Sequence, residues 1–99
     1  MSFEIVVRPL AELDLADAED WYDSRRYGLG AEFREAAGKA FARLAETPLA
    51  FPVVYRGLRR AIVSRFPYLI YFAASPDRVV VVACLHMARN PRRLRDRPL

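Results

Sequence analysis

One histidine, one cysteine and fifteen arginines carry most of the chemistry open to this 99-residue chain. His86 stands where the apolar run 79–85 stops. An imidazole at a strand end can serve as a general acid or base, or it can close the strand by hydrogen bonding. Cys84 lies inside the apolar run and reads as a small buried hydrophobe rather than a nucleophile. A lone histidine and a lone cysteine exclude two-histidine and cysteine-based metal sites, so neither a metal nor a cofactor is expected. The chain contains no Gly-rich phosphate loop and no Gly-x-Ser-x-Gly elbow. No catalytic set is assigned from these residues; His86, Arg65 and Arg60 are the candidates for any acid–base or phosphate chemistry.

The arginines are placed unevenly. Residues 1–50 carry six basic and ten acidic side chains, a net of −4, whereas residues 51–99 carry ten arginines against Asp77 and Asp96, a net of +8. Such an asymmetry suits a basic face that meets nucleic acid or an acidic protein segment. Arginine favours bidentate contact with phosphate or carboxylate. Arg59, Arg60, Arg65 and Arg89 gather at one sheet end if the strands pair in sequence order. Arg59 and Arg60 are neighbours in a strand, so they face opposite ways. Arg89, Arg92, Arg93, Arg95 and Arg97 crowd the exit from the last strand, with only Asp96 to offset them. Together with Arg59, Arg60 and Arg65 they form the expected surface for a target or a partner.

The elements that must position these groups follow from periodicity. Residues 3–8 are β-branched and bounded by Pro9, which predicts a strand. Ala11, Leu15, Ala18 and Tyr22 recur at helical spacing over 10–26, with acidic residues covering the remaining faces. Gly28 and Gly30 then break the chain. Phe33, Ala37, Ala40, Phe41 and Leu44 form a second helical stripe over 30–46, whose alanines permit a close approach to its neighbour. A short loop between them predicts an antiparallel helical hairpin. Residues 48–52 read as a loop, and 58–64, 68–74 and 79–85 as strands, the last apolar on both faces and therefore interior. Tyr68 and Tyr71 fall on opposite faces of their strand, so at least one of them is core. The prediction is a single α+β domain over 1–99, ordered β-α-α-β-β-β, with a helical hairpin packed on a small antiparallel sheet. From about residue 87 the chain becomes a basic tail. It offers little apolar area beyond Met87 and Leu94, so the fold is not expected to need it.

No apolar stretch approaches the ~20 residues of a membrane span, and the first residues lack the pattern of a signal peptide. The expectation is a soluble, cytoplasmic protein with no membrane partner.

The ordered residues also resemble a known family. Ala11, Leu15, Ala18, Trp21 and Tyr22 are followed by Gly30 and Phe33, then by Pro48, Phe51 and Pro52. Arg59-Arg60 and the run Arg65-Phe66-Pro67-Tyr68, continuing to Ile70 and Tyr71, come next. Val80, Val82, His86, Arg89 and Pro91 form the last strand and its exit. Over residues 6–97 this series resembles the RelE/ParE superfamily of toxins from bacterial type II toxin–antitoxin modules. The resemblance implies a toxin neutralised by a cognate antitoxin in a hetero-oligomer. It also implies one of two targets: RelE-like members cut messenger RNA on the ribosome, and ParE-like members inhibit DNA gyrase. In RelE-like members a catalytic arginine lies on the middle strand, and Leu69 stands at the matching place here. His86 matches a histidine found on both sides. The Arg-Phe-Pro-Tyr run and the His-x-x-Arg exit are closer to the ParE side, which makes a non-enzymatic gyrase inhibitor the leading expectation. An RNA-cutting toxin is the alternative, and a non-toxic nucleic-acid-binding module the further one. That module would need paired surface aromatics on a sheet for base stacking, whereas the aromatics here cluster with prolines and helix stripes.

Overall fold

Pro9 occupies the first helical position, where its missing N–H costs nothing, and helix α1 runs Pro9–Arg25. Gly28, at φ 87°, turns the chain in the left-handed region, and α2 runs Leu29–Glu46. The two stripes expected from spacing meet as the core of an antiparallel hairpin: Leu15, Ala18 and Tyr22 on α1, Phe33, Ala37 and Leu44 on α2. The computed structural model describes residues 2–98, so Met1 and Leu99, the ends of the predicted domain, lie outside the described residues. Among the described residues no helix is long and apolar enough to cross a membrane.

The hairpin covers one face of a five-stranded sheet ordered β1-β5-β4-β3-β2, made of Glu4–Val7 (β1), Val53–Tyr55 (β2), Leu58–Ile62 (β3), Tyr68–Ala74 (β4) and Arg78–His86 (β5). The α+β class and the helical hairpin on a small sheet agree with the sequence. Two details differ. The sheet is mixed, because β1 pairs parallel with β5 while the other neighbours are antiparallel. Periodicity identifies a strand but says nothing of its direction relative to a partner some seventy residues away. The sheet also gains β2, too short to show alternation. It is joined to β3 by a two-residue turn at Arg56 and Gly57, both at positive φ. Tight hairpins require that geometry, usually from Asn-Gly, so Arg-Gly gave a weak signal.

A bulge in β5 decides which of its side chains face the helices. Tyr71 pairs with Ala83 and Phe72 with Val81, leaving Val82 without a partner on β4. The extra residue reverses the alternation beyond it. Val79, Val81 and Cys84 face the helical core, whereas Val82, Ala83 and Leu85 join a second cluster on the opposite face. Tyr71 and Leu69 of β4 belong to that second cluster, and Tyr68 packs on the helix side, as their parity requires.

The basic tail departs most from expectation. Residues Pro91–Asp96 form a 3-10 segment, opened by the Asn90 Oδ1 accepting from the Arg92 N–H at 2.9 Å. Leu94 is 3% exposed and completes the second cluster. The sheet face away from the helices needs a cover, and the tail supplies part of it.

Candidate functional site

The bulge in β5 and the end of β1 adjoin an open cleft. β1 stops pairing at Val7 opposite Val81, so the β5 edge beyond it has no strand neighbour. Two side chains take over its backbone groups. The Asp14 Oδ2 accepts from the Cys84 N–H at 2.9 Å, and Arg97 Nη1 donates to the Val82 carbonyl at 3.0 Å. Asp14 and Arg97 also bond to each other through two contacts, at 2.9 and 3.0 Å. Each side chain is 15% exposed, so solvent screens this pair less than the exposed ion pairs elsewhere.

Above this pair lies that cleft, of about 470 Å³, between α1 and the exit of β5. Asp17, Ala18 and Trp21 form its α1 wall, and Tyr68, His86, Arg89 and Arg93 the opposite one. Trp21 is 50% exposed and meets the edge of Tyr22, while the Arg25 guanidinium lies 4.6 Å from its ring centre. Tyr68 and His86 are cross-strand partners whose rings stand nearly perpendicular, 5.3 Å apart. The His86 Nδ1 accepts from the Ala88 N–H at 3.0 Å, which assigns the proton of the neutral ring to Nε2 and leaves that nitrogen for a ligand. Burial pushes the Tyr68 phenol up from its ordinary value, with Asp14 and Asp17 adding to the rise and Arg89 opposing it. Burial likewise pushes the Cys84 thiol up to about 12, which keeps it protonated and inert as a nucleophile.

Of the predicted site residues, His86, Arg89, Arg93 and Arg97 share this cleft. Arg92 and Arg95 are exposed on the 3-10 segment beside it. The other three arginines do not join them, which corrects the expected cluster at one sheet end. Arg59 lies two strands away from β5 and donates to the Phe51 carbonyl at 2.5 Å and the Leu49 carbonyl at 3.3 Å, pinning the turn before β2. Arg60 pairs with Tyr71 in the register and lies on the other face from Arg59. Arg65 sits in the β3–β4 connection at φ 73° and bonds to Glu32 of α2 at 3.0 Å. Arg97 belongs to the cleft, but its guanidinium is already committed to Asp14 and Val82.

Asp14 and Asp17 are site residues that sequence reasoning missed, and Trp21 entered it only through the family series. Asp14 carried a signal: it stands three residues after Ala11 and four before Ala18, on the line of the buried stripe rather than on the solvated face.

Compared with known proteins, residues 5–91 match the family model described as ParE toxin of type II toxin-antitoxin system, parDE. The chain belongs to the ParE toxin family. It is thereby a type II toxin of the RelE/ParE superfamily by descent. A solved structure described as the chromosomal ParDE TA system from P. aeruginosa superposes with a TM-score of 0.76 at 13% identity, covering 86% of this chain and 96% of that one. At that identity the likeness is one of fold. No curated protein sequence matches. In this ParE-family chain the cleft is lined by residues inside the matched region, from Asp14 to Arg89, and by Arg93 and Arg97 beyond it.

Proposed function

We propose that this chain is the toxin of a toxin–antitoxin pair, neutralised by a cognate antitoxin, and that it acts by binding DNA gyrase rather than by cutting RNA. The observation that carries the choice of target is Leu69. Where RNA-cutting relatives place a catalytic arginine, this chain has a leucine 8% exposed in the cluster away from the helices. Cutting RNA through its 2′-hydroxyl requires a base, a proton donor and a cation fixed on the phosphate. Arg59 and Arg65 are held elsewhere by the backbone of 49 and 51 and by Glu32. The net charge of +8 on residues 51–99 supports an acidic partner, and the solved ParDE pair supports an antitoxin as that partner.

The competing reading, an endoribonuclease, draws on His86, Arg89 and Arg93 sharing one cleft. One experiment separates the two. The chain is induced alone and together with a candidate antitoxin encoded next to it, purified gyrase is assayed for supercoiling, and messenger RNA from induced cells is mapped by primer extension. Growth arrest relieved by the neighbour, inhibited supercoiling and intact messages are expected. Codon-phased cuts that vanish in His86→Ala would replace gyrase by the ribosome, and normal growth at verified soluble expression would remove the toxin reading.

A further inference from the structure

Among the described residues, Leu94 and Arg97 attach the arginine-rich C-terminal segment to the body. Leu94 is buried in the cluster on the open sheet face. The planar fork of Arg97 reaches both oxygens of Asp14 and the Val82 carbonyl at once. Arg95 between these anchors, and Arg92 and Arg93 just before Leu94, are exposed. A run of like charges repels itself and leaves a surface unless something holds it. The anchor on the other side is itself fixed, because the Asp14 carboxylate is bonded to the Cys84 N–H of β5.

We propose that Asp14 and Arg97 are positioning residues that latch the arginine-bearing segment against the β5 edge, and that the toxin's action depends on this latch. The inference rests on the reading of the chain as a toxin whose exit arginines meet the target. The two residues do not touch the target themselves. They join α1, the bulged strand and the chain end into one rigid unit, so that Arg89, Arg93 and Arg95 present their charges in a fixed arrangement. A flexible tail of the same composition would have to be ordered on binding, at a cost in affinity.

Trypsin reads this directly, because it cuts after arginine in exposed, opened segments. The full-length chain, Asp14→Asn and Arg97→Ala are digested well below their melting temperatures, and cuts after Arg92, Arg93 and Arg95 are compared with cuts in the body after Arg43 and Arg60. Loss of the latch should raise tail cutting by roughly tenfold or more while body cutting changes much less, since proteolysis follows the population of the locally opened form. Growth arrest should fall in both variants at equal soluble level. Arg97→Lys keeps the charge without the fork and should lie between the wild type and Arg97→Ala in both readouts. Tail and body cutting that rise in parallel would overturn the proposal, because the pair would then serve general stability alone. Unchanged tail cutting, or accelerated tail cutting with full growth arrest, would overturn it as well. If the wild type itself does not arrest growth, the toxin reading fails, and the ratio of tail to body cutting still upholds or overturns the latch.

Discussion

Gly30 lies directly against the backbone of α1. A Cβ at this position would sit 2.6 Å from the Glu19 carbonyl oxygen and 2.8 Å from the Asp23 carboxylate, and the Gly30 N–H donates to Asp23 Oδ1 at 2.7 Å. The approach lets the start of α2 dock on the last turns of α1, with Tyr22 stacked on Phe33 at 5.5 Å just below. Gly30→Ala should therefore force the helices apart and cost about 1–3 kcal/mol, the usual penalty of overpacking. A thermal melt should show the drop. Gly38, in the interior of the same helix, has nothing within 4 Å of such a Cβ. Gly38→Ala should raise stability by about 0.5–1 kcal/mol through helix propensity. Equal effects from the two substitutions would mean that the contact with Glu19 does not limit the hairpin.

That contrast shows what the sequence could and could not reveal. The apolar stripes of α1 and α2 were legible because each recurs at helical spacing, and Tyr68–Ala74 was legible from its β-branched and aromatic run. Gly30 read as a helix breaker, since a glycine that relieves a contact looks the same as one that permits a turn. The site was less legible than the fold. Its floor depends on the bulge at Val82 and on a bond between residues 83 positions apart, and neither leaves a periodic trace. Arg59 and Arg65 looked like binding residues for the same reason that Arg89 did. Their hydrogen bonds in the folded chain show that the first two serve the backbone and α2.

Stability should fall in alkali, with a contribution from Cys84. Its thiol is pushed from the ordinary 9.0 up to about 12, mainly by burial. Between those values the unfolded chain has lost the proton and the folded chain keeps it, so stability is full below pH 9 and declines as pH rises toward 12. Tyr22 and Tyr68, both raised from 10.0 chiefly by burial, act in the same direction at higher pH. Denaturant midpoints measured from neutral pH upward should decline above pH 9. Cys84→Ala should flatten the first part of that decline. A slope unchanged by the substitution would assign the whole loss to the tyrosines.

Restoring an arginine to the middle strand should not create a nuclease. Leu69 is buried beside its partner Leu85 in the cluster that Leu94 completes. Leu69→Arg would place an unpaired charge there, at a cost of about 3–5 kcal/mol, comparable to leaving one half of a buried ion pair. The variant should melt well below the wild type and leave stalled ribosomes with uncut messages. New cuts from a variant that melts normally would show that the position can turn its side chain toward solvent.

Removing the chain after Asn90 should damage the fold itself, contrary to what the sparse apolar content of the tail suggests. Leu94 contributes about 1.5–3 kcal/mol by burial. Loss of Arg97 also leaves the Asp14 carboxylate without its cation and the Val82 carbonyl without its donor. A buried polar group left in that state costs about 1–3 kcal/mol. These losses are a large share of the 5–15 kcal/mol typical of a domain, so the truncated chain should melt far lower or lose its cooperative transition. Growth arrest by that chain therefore cannot separate contact from folding. The paired substitution Arg92→Ala with Arg95→Ala can, because both side chains are exposed and both anchors stay in place. It should leave the melt within about 2–4 °C, given the ±0.5 kcal/mol usual for surface changes, and weaken growth arrest. Full toxicity in the double variant would move the contact surface to Arg89, Arg93 and the cleft they line.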